Sequence, residues 1–392
     1  MNGRGGIEVF SRRALGVGIL GMALTVVSAR VAGEHVWPSY LFGFLFWWGL
    51  SLGSGGIVML HHLTGGRWGL AIRRIVEAGV RTTPLMAALF LPIFFGLSHL
   101  YEWTHAEVVA ADEVLRHKSR YLNVPFFSLR AVLYFAVWIG VAHFLTRWSY
   151  EQDRGGDPQV SRRLRALSGP GIVLYGGTVT FAAVDWVMSL EPHWYSTIYG
   201  IAFILGHALT ALAAAILVAA GLSRVEPLSR VATSEVFHDL GNLLLALVML
   251  WAYVAFSQFL IIWSGNLPEE IPWYLRRTRG GWGIVAAMLI LFHFAVPFLL
   301  LLSRAVKRNV RALGIVAGVI LILRVVDLYW IVMPAFEERG IGPHWSNAAA
   351  FLGVGGLWLA VWARELQRHA RIPISAPRVS GGEGVHEGRG RI

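Results

Sequence analysis

Apolar runs of about twenty residues alternate with short polar segments along most of the chain. Ten can be set out, at about 14–33, 37–62, 84–103, 127–147, 170–190, 196–222, 236–264, 282–303, 312–334 and 345–363. A hydrocarbon layer of about 30 Å takes roughly 20 helical residues, whereas a membrane strand needs only about ten. The pattern therefore predicts an all-α polytopic membrane protein with about ten transmembrane helices. Pro38, Pro84, Pro125 and Pro170 stand at or near predicted helix starts, where a missing N–H costs little. Pro92 and Pro297 fall inside spans and predict kinks. Residues 67–82 break the pattern, being basic and amphipathic, with Glu77 four residues from both Arg73 and Arg81. That stretch reads as an interfacial helix on the membrane surface.

Spans two to five and six to nine make two four-helix sets that start from the same side, as parallel repeats would. The halves run over about 37–190 and 196–334, inside a single transmembrane domain of 1–369. The last span of each set carries a Val-Asp pair, Val184-Asp185 and Val326-Asp327. Two peripheral helices, the first and the tenth, complete the expected architecture. The first span follows Arg4, Arg12 and Arg13 and resembles a signal peptide as far as Ala29; it is expected to be retained as a helix. Residues 370–392, rich in Gly, Arg and Ser, predict a disordered tail.

Composition rules out a water-soluble globule. Hydrophobic residues make up 56%, charged residues 15%, and mean hydropathy is +0.57, which leaves too little polar surface to cover a soluble fold. The net charge of +11 has no basic patch with interleaved aromatics behind it, so nucleic acid is not an expected partner. The arginines sit in the loops instead. With the N-terminus inside, inside segments hold 24 Lys and Arg and outside loops 8. The positive-inside rule then puts both termini in the cytoplasm and makes the lipid bilayer the first partner. The absence of cysteine excludes thiolate zinc, Cys-ligated iron–sulfur clusters, thioether haem and disulfides on this chain.

Ionisable groups inside spans are costly and usually face a bundle interior or a water path. Towards the outside lie His99, Glu102, Arg130, Asp185, Arg324 and Asp327; at mid-depth His207 and His293; towards the cytoplasm His61, His62, His143, His238 and Asp239. Groups at three depths fit a proton relay. Each also has a plainer reading. Arg324 and Asp327, three apart, neutralise each other; Arg130 and Asp185 pair across helices; Asp239 caps a helix start. His207 and His293 resemble haem ligands only superficially, since a second pair is lacking. No catalytic residue and no metal site is expected.

Several stretches carry a family resemblance in order along 40–345. They are Tyr101-Glu102-Trp103-Thr104-His105, Tyr121-Leu122-Asn123-Val124-Pro125-Phe126-Phe127 and Asp185-Trp186-Val187-Met188-Ser189-Leu190-Glu191-Pro192-His193-Trp194. Further along come His238-Asp239-Leu240-Gly241, Trp251-Ala252-Tyr253 with Phe256-Ser257-Gln258, Trp263-Ser264-Gly265-Asn266-Leu267-Pro268-Glu269-Glu270 and Asp327-Leu328-Tyr329-Trp330. The pattern resembles the ActF-type membrane subunit of bacterial alternative complex III, of the NrfD or polysulphide-reductase-like family. The resemblance implies a multi-pass subunit of a quinol:cytochrome c oxidoreductase in the bacterial inner membrane, not catalytic on its own. Implied partners are a multihaem cytochrome c subunit, an iron–sulfur subunit, a sister NrfD-like subunit and small membrane subunits. Haem c and iron–sulfur clusters would sit on those partners, with no cofactor on this chain beyond a possible quinone or quinol.

Candidate proton-path residues are Asp185, Asp327, Arg324, Arg130, His293, His207, His143, His238 and Asp239. His99, Glu102 and Asp185 are the candidates for holding quinone. The chain departs from the family pattern after His-Asp-Leu-Gly, where Asn242 replaces the usual Lys. Asn cannot titrate, so entry of protons would fall to His238, Asp239 or His143. A purely structural scaffold, which explains the buried pairs without any path, and a secondary transporter are the other readings; against the transporter, no clear broken-helix pairs stand at matching positions.

Overall fold

The computed structural model describes residues 3–31, 33–155, 158–226, 228–337, 340–342 and 344–369, and contains no strand among them. Among the described residues ten helices are long and apolar enough to cross a membrane. In chain order they are α1 (Gly5–Val31), α2 (Gly33–Thr64), α3 (Arg67–Phe95), α4 (Val124–Arg154), α5 (Pro158–Leu190), α6 (Tyr199–Leu222), α7 (Ser234–Gly265), α8 (Trp282–Leu302), α9 (Val310–Ala335) and α10 (Trp345–Arg368). The protein is thus an all-α, multi-pass membrane protein. The tail expected from 370 lies outside the described residues.

Local chemistry explains where the helices depart from the sequence reading. The helix in α5 starts at Pro158, twelve residues before Pro170, so that proline lies inside a helix and not at its start. The stretch 67–82 is not a surface helix. It forms Arg67–Val80, the first part of α3, and Ala71, Ile72, Arg73, Ile75 and Glu77 are all buried. Its charges are matched inside the protein: Arg73 donates to Glu77 at 2.9 Å, to Ser149 at 2.8 Å and to Gln152 at 2.7 Å, so that burial leaves no bare ion. A turn at Arg81 and Thr82 joins it to Thr83–Phe95, which ends three residues after Pro92.

The kink expected at Pro297 takes a specific form. The α-helix Trp282–Met288 passes into a π-helix, Leu289–Ala295, before α-helix resumes at Val296–Leu302. Proline has no N–H for the carbonyl four residues earlier, and its ring clashes there. That carbonyl belongs to His293, and widening the turn is one way to accommodate it.

Two rings of four helices form the body. Helices α2 to α5 pack in chain order and close through α2 against α5; α6 to α9 repeat the arrangement and close through α6 against α9. The rings meet where α2 runs along α6. Gly49 and Gly53 make this seam possible: a Cβ at Gly53 would overlap the His207 carbonyl, and one at Gly49 would press on its ring. Helix α10 packs on α2 and α3, and α1 on α10. There Gly18 and Gly21 face Gly356 and Gly353, and a Cβ at Gly21 would lie 2.5 Å from the Gly353 nitrogen. Beyond the helices, Arg277 reaches from the loop after α7 to Glu191 (2.7 Å) and the Ile331 carbonyl (2.6 Å), while Trp194 stacks on Trp273 at 4.7 Å. These contacts tie the two rings at the face opposite the start of α1.

Candidate functional site

The two rings bury their charges in different ways. In the first, Arg130 on α4 meets Asp185 on α5 with two donated bonds, Nε to Oδ2 at 2.8 Å and Nη2 to Oδ1 at 2.9 Å. The Tyr134 hydroxyl adds a third at 2.8 Å, and the remaining guanidinium nitrogen donates to the Tyr121 carbonyl at 3.0 Å. The cation also lies over the rings of Tyr121 (3.9 Å) and Phe126 (4.3 Å). Asp185 is fully buried, and both of its carboxylate oxygens are occupied. Planar fork geometry of this kind fixes both side chains. Burial and the Asp185 charge push the Tyr121 phenol up from its usual range, which keeps it a proton donor.

The second ring holds a less complete arrangement. Arg324 pairs with Asp327 one turn along α9, and its Nε approaches the Thr210 hydroxyl of α6 at 3.3 Å. Gly206, one turn before Thr210, clears the space, since a Cβ there would overlap the guanidinium. His293, in the π-helix of α8, is fully buried and neither ring nitrogen has a hydrogen-bond partner. Its ring meets Trp251 of α7 edge-on at 4.4 Å, and Arg324 lies within electrostatic range. His207, buried in the seam, also feels Arg324 and leaves Nδ1 without a partner, while its ring stands edge-on to Trp48 at 4.6 Å. Unpaired buried imidazole nitrogens are costly and uncommon. Arg324 thus stands at the centre of a second polar cluster, with Asp327 and Trp251 on one side and His293 and His207 within its electrostatic range.

At the face where α1 begins, Asn242 stands within 3.4 Å of His238, whose Nδ1 is 3.8 Å from Asp239. Lys307, from the loop between α8 and α9, is buried and donates to Asn242 Oδ1 at 2.7 Å. An amine is thus present beside position 242, supplied by another segment. Gly241 admits it, since a Cβ would fall 2.7 Å from the lysine Cγ.

Other candidates stay apart. His143 is exposed on α4. His99 stacks on Trp37 at 5.8 Å with Glu34 at 3.5 Å, and Glu102 is exposed; neither joins Asp185. Among the described residues no three His, Asp or Glu side chains are placed to hold a metal ion. Sequence reading missed Tyr134, Thr210, Gly206, Trp251 and Lys307. A small or aromatic residue in an apolar helix carries no mark of polar work, and Lys307 read only as a topology signal.

No protein-family model matches the chain, and no curated protein matches it.

Proposed function

We propose that the chain is a membrane subunit of a quinol-oxidising electron-transfer complex and that its second ring carries a proton path. The observation behind this reading is the contrast between the two aspartates. Asp185 is held by Arg130 and Tyr134 on every side and acts as a fastener. Asp327 has Trp251 as a further partner and shares its arginine with a hydroxyl, and the unpaired His293 and His207 lie within range of that same arginine. An imidazole with free nitrogens can take a proton on one and release one from the other. The path runs from His238, Asp239 and Lys307 at one face, through His293 and His207, to Asp327 and Arg324. His143, His99 and Glu102 have no part in it.

The excess of arginine at the face where α1 begins supports a cytoplasmic placement of both termini. The family resemblance supports the bacterial inner membrane, the quinol:cytochrome c activity, and the haem-bearing, iron–sulfur and sister membrane partners. The test is purification from native membranes, followed by Asp327→Asn in the assembled complex. The expected outcome is co-purification with haem and iron, and proton release that falls at least about tenfold while assembly is intact. Isolation as a lone, metal-free chain would remove the complex; unchanged proton release in the variant would leave only a supporting role.

A further inference from the structure

A cavity of about 290 Å³ lies at the face opposite the start of α1, between residues 118–122 and 188–195. Its size is near the lower end for ligand sites, about 300 Å³, and such sites are mainly apolar with a few polar groups. Val184, Met188 and Leu122 supply apolar wall, and Lys118, Tyr121 and Trp194 stand at its border.

Lys118 is the unusual member. It is half-buried, and burial holds its ammonium below the usual lysine range. Its Nζ donates to the Pro192 carbonyl at 2.5 Å and lies 5.9 Å from the Tyr195 ring, but it makes no ion pair with any described carboxylate. The nearby acids are engaged elsewhere: Asp112 with His193, and Glu191 with Arg276 and Arg277. Two of the three ammonium protons remain to be placed. The Tyr121 hydroxyl turns towards Asp185 and the Trp194 indole N–H is buried, so neither faces the space. The cavity is thus an apolar space with one positive charge at its border, and no described acid pairs with that charge.

The apolar side of the cavity continues along α5. Phe181 and Leu174 are exposed at helical spacing from Val184, and Gly177 between them leaves open space where a Cβ would meet nothing. This is a shallow track leading from the cavity towards the middle of the span.

We infer that this cavity seats an anionic membrane phospholipid, its phosphate beside Lys118 and one acyl chain along the track Val184, Phe181, Gly177 and Leu174. Among the described residues no carboxylate pairs with Lys118, because the ligand supplies the negative charge. A lysine near a membrane surface favours an acidic lipid by about fivefold. The inference does not rest on any redox role for the chain.

The test uses the protein as extracted from membranes, with whatever subunits accompany it, exchanged into nanodiscs of phosphatidylcholine containing a minority of phosphatidylglycerol. Native mass spectrometry then counts retained lipid. The wild type should hold one phosphatidylglycerol in preference to phosphatidylcholine. Lys118→Gln should lower that retention about fivefold, Lys118→Arg should keep it, and Met188→Trp should lower it by filling the cavity. Size-exclusion profiles matching the wild type establish that the variants are folded. Equal retention in Lys118→Gln and Met188→Trp overturns the assignment, as does loss of preference between the two lipids in the wild type. Displacement of the lipid by millimolar inorganic phosphate would make free phosphate the ligand. Displacement by a soluble quinone, with no preference for acidic lipid, would make it a site for ring carbonyls; either result rejects the phospholipid.

Discussion

A single proline decides the chemistry available to His293. With no N–H at Pro297, the His293 carbonyl cannot be paired in the usual way, and the helix widens into a π turn around it. Replacing Pro297 with Ala should restore the regular ladder, leave thermal stability equal or higher, and rotate His293 away from Trp251. Circular dichroism melts and proton-release assays on the same sample would check both halves; a fall in stability of more than about 1 kcal/mol would speak against the prolyl origin of the π turn. Asp185 behaves in the opposite sense. Arg130→Ala leaves a buried carboxylate without its counter-ion, and should destabilise the protein by about 3–5 kcal/mol, read as a large drop in denaturation midpoint. Asp327→Asn likewise leaves the buried Arg324 without its counter-ion and should also cost stability, less whatever hydrogen bond the Asn amide oxygen keeps by accepting from the guanidinium. Both pairs were legible as charged residues inside apolar runs. Their difference was not, because it depends on Tyr134, Gly206 and Thr210, which arrive from other helices or other turns.

Among the elements, the end of α10 is held by chemistry that responds to acid. His369 stacks on Tyr150 at 3.8 Å, and Tyr150 in turn carries the Arg81 guanidinium over its ring at 4.3 Å. Burial, then the Arg81 charge, lowers the His369 pKa below its usual value of about 6.5. A base whose folded pKa is depressed favours the neutral form in the fold, so its contribution is full above about 6.5 and is lost as pH falls below that. The thermal midpoint should decline as pH is lowered from about 7.5 to 5, and His369→Phe should flatten that slope. The pairing of α1 with α10 is a matter of shape instead. Gly353→Leu would drive a side chain into the α1 backbone, costing about 1–3 kcal/mol, and a cross-link between α1 and α10 should be lost. Ten helices followed from hydropathy alone, and so did their approximate centres except for the third, expected over 84–103 and found at Arg67–Phe95. The burial of 67–80 did not, since a basic amphipathic helix looks the same on a lipid surface as inside a protein that answers its arginines with Glu77, Ser149 and Gln152.

Over the whole molecule, the two rings share one packing plan and differ in what they enclose. The order of spans and the two Val-Asp pairs raised the expectation of a repeat; the packing order of the helices is alike in the two rings. Both termini are expected on the cytoplasmic side. Reporter fusions at the ends and in the loops at 104–123 and 266–281 should give opposite signals, and like signals at all four places would sink the ten-span orientation.

The α2–α6 seam carries a mechanical consequence. Gly53 is set against the His207 carbonyl and the loops are joined through Arg277 and Trp194, so rocking of one ring against the other would break close packing and a largely buried ion pair. Alternating access needs such rocking. A frame packed in this way suits the proposed proton path, which asks only for side-chain rotation, better than it suits the passage of a solute.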